Sequence, residues 1–149
     1  MDSRFFQRPK PRVFGHRGSS GNVPENTVLS FTKALEEGAD ILEMDVHATS
    51  DGHIVVLHDP LLDRTTDGKG WISRTALADV QRMDAGYYFS LDGKTFPFRG
   101  KGLTIPTLRE VAERFRDVPF NIEIKQSLPR IEHSVYELLR DTNHLELVL

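Results

Sequence analysis

The chain has 149 residues, 38% hydrophobic and 28% charged, with no cysteine and a net charge of −3. That is enough apolar material for one globular core, while disulfides and thiolate metal ligands are excluded. The charge offers no general pull toward nucleic acid or an anionic membrane, and no apolar run is long enough to span a bilayer. The basic, proline-broken start lacks the apolar segment of a secretory signal, so the expected location is cytoplasmic.

Residues 1–11 read as a flexible lead-in. Arg12-Val13-Phe14-Gly15 is a short, bounded apolar run, expected to be a buried strand that empties into the loop His16-Arg17-Gly18-Ser19-Ser20-Gly21. Asn26 is placed to N-cap a helix through about Glu37, with Leu29, Phe31, Ala34 and Leu35 as its apolar contacts and Gly38 ending it. Two strands follow in residues 40–59, on either side of the turn-like Ser50-Asp51-Gly52. In the first, a period of two puts Glu43, Asp45 and His47 on one side and Leu42, Met44 and Val46 on the other. A strand buried on both faces should be apolar throughout. Carboxylates there are costly unless paired, so a cationic group is expected against Glu43 and Asp45.

The second strand, residues 54–57, ends in His58-Asp59. From 60 to about 102 the pattern loosens into a glycine-rich insertion carrying Trp71, Tyr87, Tyr88, Phe89, Phe96 and Phe98. So many rings read as a small local core rather than a linker or a lipid platform. Thr75 is expected to cap a short helix over residues 76–83. Thr107 and Glu110 form a capping box that opens a helix to about Arg116. A strand over 119–125, a helix over 131–140 and a last strand over 145–149 complete the chain. The alternation of strand and helix predicts an α/β fold with parallel strands joined by helical crossovers, of about five strands.

The chemistry-bearing residues fall at the C-terminal ends of these strands, the edge where parallel α/β folds bind ligands. His16 and Arg17 follow the first strand, His58 closes the third, and Glu123 and Lys125 share a face of the fourth. Glu43, Asp45 and Glu123 are three hard oxygen donors suited to Mg²⁺ or Ca²⁺. The alternative is a buried ion network in which these acids pair with Arg17 and Lys125. His16 and His58 suit general acid–base work on a phosphoryl ester, with Arg17 and Lys125 holding the non-bridging oxygens. The bland alternative is that each ring bonds nearby backbone, and His47, His53, His133 and His144 are read in that way.

The series His16-Arg17-Gly18, Pro24-Glu25-Asn26-Thr27, Glu43-x-Asp45-Val46, His58-Asp59, Arg64-Thr65-Thr66, Ile105-Pro106-Thr107-Leu108 and Glu123-Ile124-Lys125 resembles the glycerophosphodiester phosphodiesterases. The resemblance covers nearly the whole chain from Val13 onward. It implies a (β/α)₈ TIM barrel of which these residues are the N-terminal part, with the insertion leaning over the catalytic mouth. The implied reaction is hydrolysis of deacylated phospholipids, such as glycerophosphocholine or glycerophosphoethanolamine, to glycerol 3-phosphate and an alcohol. His16 and His58 match the acid–base pair, Glu43, Asp45 and Glu123 the ligands of one divalent cation, and Arg17 and Lys125 the phosphate contacts. Two alternatives are a truncated, non-catalytic relative that binds a phosphorylated ligand or partner, and a lysophospholipase D-type activity. A chain that ended at Leu149 would be expected to expose a sheet edge and to self-associate.

Overall fold

The structure, a computed structural model, describes residues 11–149. The expected lead-in, but for Pro11, lies outside the described residues. The elements run β1 (Phe14–His16), α1 (Val28–Glu36), β2 (Ile41–Ala48), β3 (Ile54–Val56), a 3₁₀ turn (Ile72–Arg74), α2 (Leu77–Val80), α3 (Leu108–Arg114), β4 (Phe120–Ile124), α4 (Glu132–Asp141) and a 3₁₀ turn (Leu145–Leu147).

Strand β2 is the centre. Strand β1 lies parallel along one edge, with Phe14 opposite Ile41 and His16 opposite Glu43. Strand β4 lies parallel along the other, with Glu123 opposite Asp45. Strand β3 departs from the expected parallel pattern. It pairs antiparallel with β2, Val46 opposite Val56, because the reversal at Ser50-Asp51-Gly52 is far too short for a parallel crossover. Gly52 takes φ +85° there, and Gly52 N–H donates to the Thr49 carbonyl at 3.0 Å. The consequence is functional: β3 runs back beside β2, and Leu57 N–H meets the Asp45 carbonyl at 2.9 Å. His58 thereby returns to the level of the carboxylates.

The described sheet has four strands rather than five. Of residues 145–149, Leu145–Leu147 wind into a 3₁₀ turn, and only Val148 and Leu149 reach the sheet, beside Phe120 and Ile122. Helix α1 is capped by Thr27, not Asn26. The Thr27 hydroxyl accepts from Ser30 N–H, and the Ser30 hydroxyl accepts from Thr27 N–H. Asn26 stands one residue earlier in the left-handed region (φ +55°), its amide drawn away to Asp45. The Thr107–Glu110 capping box forms as expected, and α3 ends at Arg114.

The apolar face of β2 (Leu42, Met44, Val46) packs with Phe31, Leu108, Val111, Phe120, Val135 and Leu139 in the main core. A second cluster joins Val55 and Leu57 to Leu62, Ile72, Val80, Ala85 and Ile105. The insertion therefore has its own packing, but that packing is aliphatic. Its rings sit at the rim instead: Tyr87 meets Tyr88 edge-on at 4.8 Å and Phe89 meets Phe98 at 5.3 Å. The Arg99 guanidinium lies over Tyr87 and Phe96 at about 4 Å, an arrangement that keeps one ring face near water. Thr75 does not cap α2, since its hydroxyl donates to the Trp71 carbonyl. Ala76 takes the N-cap position, and the Asp51 carboxylate accepts from Leu77 N–H at 3.1 Å. No helix of the described residues is long and apolar enough to cross a membrane.

Candidate active site

The loop after β1 is pinned from both sides. Arg17 takes φ +55°, an uncommon conformation for a residue with a Cβ. Its N–H donates to Glu43 Oε2 at 2.7 Å, and its carbonyl accepts from Asn26 N–H and the Ser30 hydroxyl, both at 3.0 Å. Gly18 follows at φ +77°, and any side chain there would run into Ser30. This backbone sends the Arg17 guanidinium to Glu25, with Nη1 3.1 Å from Oε1, and to Asp45, with Nε 3.2 Å from Oδ2. The approach to Asp45 is off the hydrogen-bond direction, leaving Nε buried and unpartnered.

The β2–β4 register brings Glu43, Asp45 and Glu123 together, one oxygen of each within 4.8 Å of the others. Asp45 is 1% exposed. It accepts from Asn26 Nδ2 at 2.9 Å on Oδ2 and faces Lys125 Nζ at 3.4 Å on Oδ1. Lys125 also bonds Glu123 Oε1 at 2.8 Å. That bond lowers the Glu123 carboxyl and, with help from Asp45, raises the Lys125 ammonium. Glu43 differs. Burial, with the Asp45 charge added, pushes its carboxyl up against the opposing Arg17 N–H bond. Among the described residues no lysine or arginine head group pairs with it. Asn26 Oδ1 is also buried without a partner. Asp45 and Glu123 thus belong to both the ion network and the oxygen cluster, while Glu43 belongs to the cluster alone and has no cationic head group against it, an arrangement that fits a hard cation.

The two candidate histidines are set differently. His16 is exposed at the end of β1, opposite Glu43. His58 Nδ1 lies 2.6 Å from Asp59 Oδ1. The Arg64 hydrogen bond is the main cause that holds the Asp59 carboxyl at about 2, with His58 contributing. The carboxylate can only accept, so Nδ1 carries the proton and Nε2 is left as the free nitrogen. His47 bonds backbone as expected, but the carbonyl it donates to, at 3.0 Å from Nε2, is that of His58. Burial lowers the His47 imidazole and keeps it neutral. His144 stacks on Phe120 in the core, and His53 and His133 lie on the surface.

Four residues at the site escaped assignment from the sequence: Glu25, Asn26, Asp59 and Arg64. All four lie within the quoted motifs, and an acid directly after a candidate base was the available signal.

Residues 16–148 match the family profile described as the glycerophosphoryl diester phosphodiesterase family. The chain belongs to this family. A glycerophosphodiester phosphodiesterase of Caldanaerobacter subterraneus is 43% identical over 145 residues, 94% of this chain and 57% of that protein. One of Bacillus subtilis is 44% identical over 115 residues, 74% of this chain and 38% of that protein. Among solved structures, a glycerophosphodiester phosphodiesterase from Agrobacterium tumefaciens superposes with a TM-score of 0.80 at 32% identity, covering 92% of this chain and 55% of that one. A phosphodiesterase from Oleispira antarctica, in complex with the product sn-glycerol-3-phosphate, gives 0.76 at 37% identity, covering 89% and 53%. The chain spans about half the length of the family relatives it matches.

Proposed function

We propose that residues 1–149 form the N-terminal part of a (β/α)₈ barrel domain that hydrolyses glycerophosphodiesters to glycerol 3-phosphate and an alcohol, with residues 60–102 an insertion over its mouth. The observation that carries this reading is the meeting of Glu43, Asp45 and Glu123 within 4.8 Å, flanked by Arg17, Lys125 and His58. The half-length coverage of solved relatives supports the partial barrel.

Glu43, Asp45 and Glu123 would hold one divalent cation, Mg²⁺ or Ca²⁺, which when bound supplies positive charge to an anionic phosphoryl group. The chain's own residues do the rest. Arg17 and Lys125 both bring cationic head groups to Asp45, beside the carboxylate cluster. These donors suit the non-bridging oxygens and the charge that builds on them. One histidine takes the proton of the attacking hydroxyl and the other protonates the leaving oxygen. His58 meets this task through Nε2, its Nδ1 being tied to Asp59. A glycerol 2-hydroxyl as nucleophile, giving a cyclic phosphate that water then opens, gains from proximity and accounts for a preference for glycerol esters.

The test is release of glycerol 3-phosphate from glycerophosphocholine and glycerophosphoethanolamine, with and without EDTA. Turnover that EDTA abolishes and Mg²⁺ or Ca²⁺ restores, and that His16→Ala and His58→Ala each abolish, is the expected result. Hydrolysis indifferent to chelation overturns it. Substrate binding without product, in a folded and metal-replete sample, points to a non-catalytic relative. The chain is also 33% identical over 153 aligned residues to a human lysophospholipase D, spanning 47% of that protein. Lysophosphatidylcholine therefore serves as a competing substrate, and preferential turnover of it reassigns the activity.

A further inference from the structure

Arg64 comes from the insertion, and its guanidinium is gripped by two carboxylates through four hydrogen bonds. Nε and Nη2 bond Asp59 at 2.6 and 3.1 Å, and Nη1 and Nη2 bond Glu25 at 2.9 and 2.7 Å. Each carboxylate in turn holds a residue of the candidate site. Asp59 accepts from His58 Nδ1, and Glu25 accepts from Arg17 Nη1 at 3.1 Å. We infer that Arg64 is a positioning residue: a two-sided fork that locks the ring of His58 and the guanidinium of Arg17 in one mutual geometry.

Three features support this. First, among the described residues the Arg64 guanidinium hydrogen-bonds only these two carboxylates, so it is committed to bracing rather than to a substrate phosphate. Second, planar bidentate pairing fixes angle as well as distance, which a point charge does not. Third, the loop that carries Arg64 is itself anchored: Leu62 and Thr66 are fully buried, and the Thr66 hydroxyl donates to the Leu62 carbonyl at 2.7 Å. Both carboxylates respond to the fork. Burial alone would raise the Glu25 carboxyl, yet the Arg64 and Arg17 contacts leave it lowered. Without Arg64, Asp59 is free to turn, the tautomer of His58 loses its constraint, and Glu25 no longer shares its charge between two arginines.

This inference rests on the assignment of His58 and Arg17 above, so the test reads structure and turnover separately. In the full chain, Arg64→Ala is expected to lower kcat for glycerophosphocholine by about 10–100-fold with KM changed less than about 3-fold. Guanidinium ion added to the solution is expected to restore part of the lost kcat. Arg64→Lys keeps the charge without the fork and is expected to remain impaired, which covers the case in which the alanine variant does not fold. Proton–nitrogen correlation of the His58 imidazole is expected to show protonated Nδ1 in the parent and a mixed tautomer in either variant. Parent-like kcat and parent-like His58 nitrogen shifts in Arg64→Lys would overturn the inference. If the parent protein hydrolyses no diester, the functional assignment fails by itself, and the His58 nitrogen shifts alone decide whether the fork exists.

Discussion

The two cations that face Asp45 are built in opposite ways. Arg17 stands on a left-handed backbone position, bonds Glu43 through its own N–H, and is joined through Glu25 to Arg64 and Asp59. Lys125 follows directly on β4, and among the described residues its ammonium pairs only with Asp45 and the half-exposed Glu123. One side of the site is braced by segments from three parts of the chain; the other is two side chains on one strand with access to water. A phosphoryl group and a cation would therefore meet a preorganised wall on the Arg17 side and an adaptable one on the Lys125 side, where side chains can reorient as ligands enter.

The largest expected effect comes from the residue shared by both sides. Asp45→Ala leaves Arg17, Lys125 and Asn26 facing each other without their anion, and a cost of about 3 kcal/mol is expected in urea unfolding. Loss of measurable turnover accompanies it. Glu123→Ala on the open side should cost less than about 1 kcal/mol, so equal losses from the two variants would erase the distinction. Next in size is cation binding. Mg²⁺ or Ca²⁺ at about 100-fold its Kd should stabilise the chain by about 2.7 kcal/mol, read as a rise in Tm that EDTA reverses and Glu43→Gln removes.

Acid should weaken the braced side. The folded Asp59 carboxyl lies at about 2, against an ordinary value of 3.8. Its lowered value means that it stabilises the fold above about pH 4, with the contribution lost as pH falls through 4 toward 2. Screening at this partly exposed site reduces the expected amount to about 1–2 kcal/mol. Urea midpoints at pH 6 and pH 2.5 should converge between the parent and Asp59→Asn; a constant gap would contradict the assignment. The smallest effect is expected for Lys125→Met, within about 1 kcal/mol of the parent in stability but with a raised KM for the diester.

The alternation in residues 41–48 was enough to place Glu43 and Asp45 together and Leu42, Met44 and Val46 opposite them, because side chains on a strand alternate whatever the strand pairs with. The same rule put Glu123 and Lys125 on one face of β4. The capping box at Thr107 was legible for a similar reason, since its donors and acceptors lie within one turn. Asn26 was misassigned as a cap because two adjacent residues both suit that position, and only the distant Asp45 draws the Asn26 amide away. The rings of the insertion were expected inside and lie at the rim. Composition reports how much aromatic surface exists, and a guanidinium such as that of Arg99 can cover part of it without burial.

What the sequence determined by itself is the local part: which strand face Glu43, Asp45, Glu123 and Lys125 occupy, and where α3 begins. These depend on backbone period and on hydrogen bonds spanning a few residues. The tertiary structure alone decided the register in which β3 returns along β2, with Leu57 N–H on the Asp45 carbonyl and His58 back at the carboxylates. It alone decided that Glu123 stands opposite Asp45, and that Arg64 reaches Glu25 across 39 positions of chain. Such contacts are selected by register and by the summed packing of several elements, and no short-range pattern encodes them.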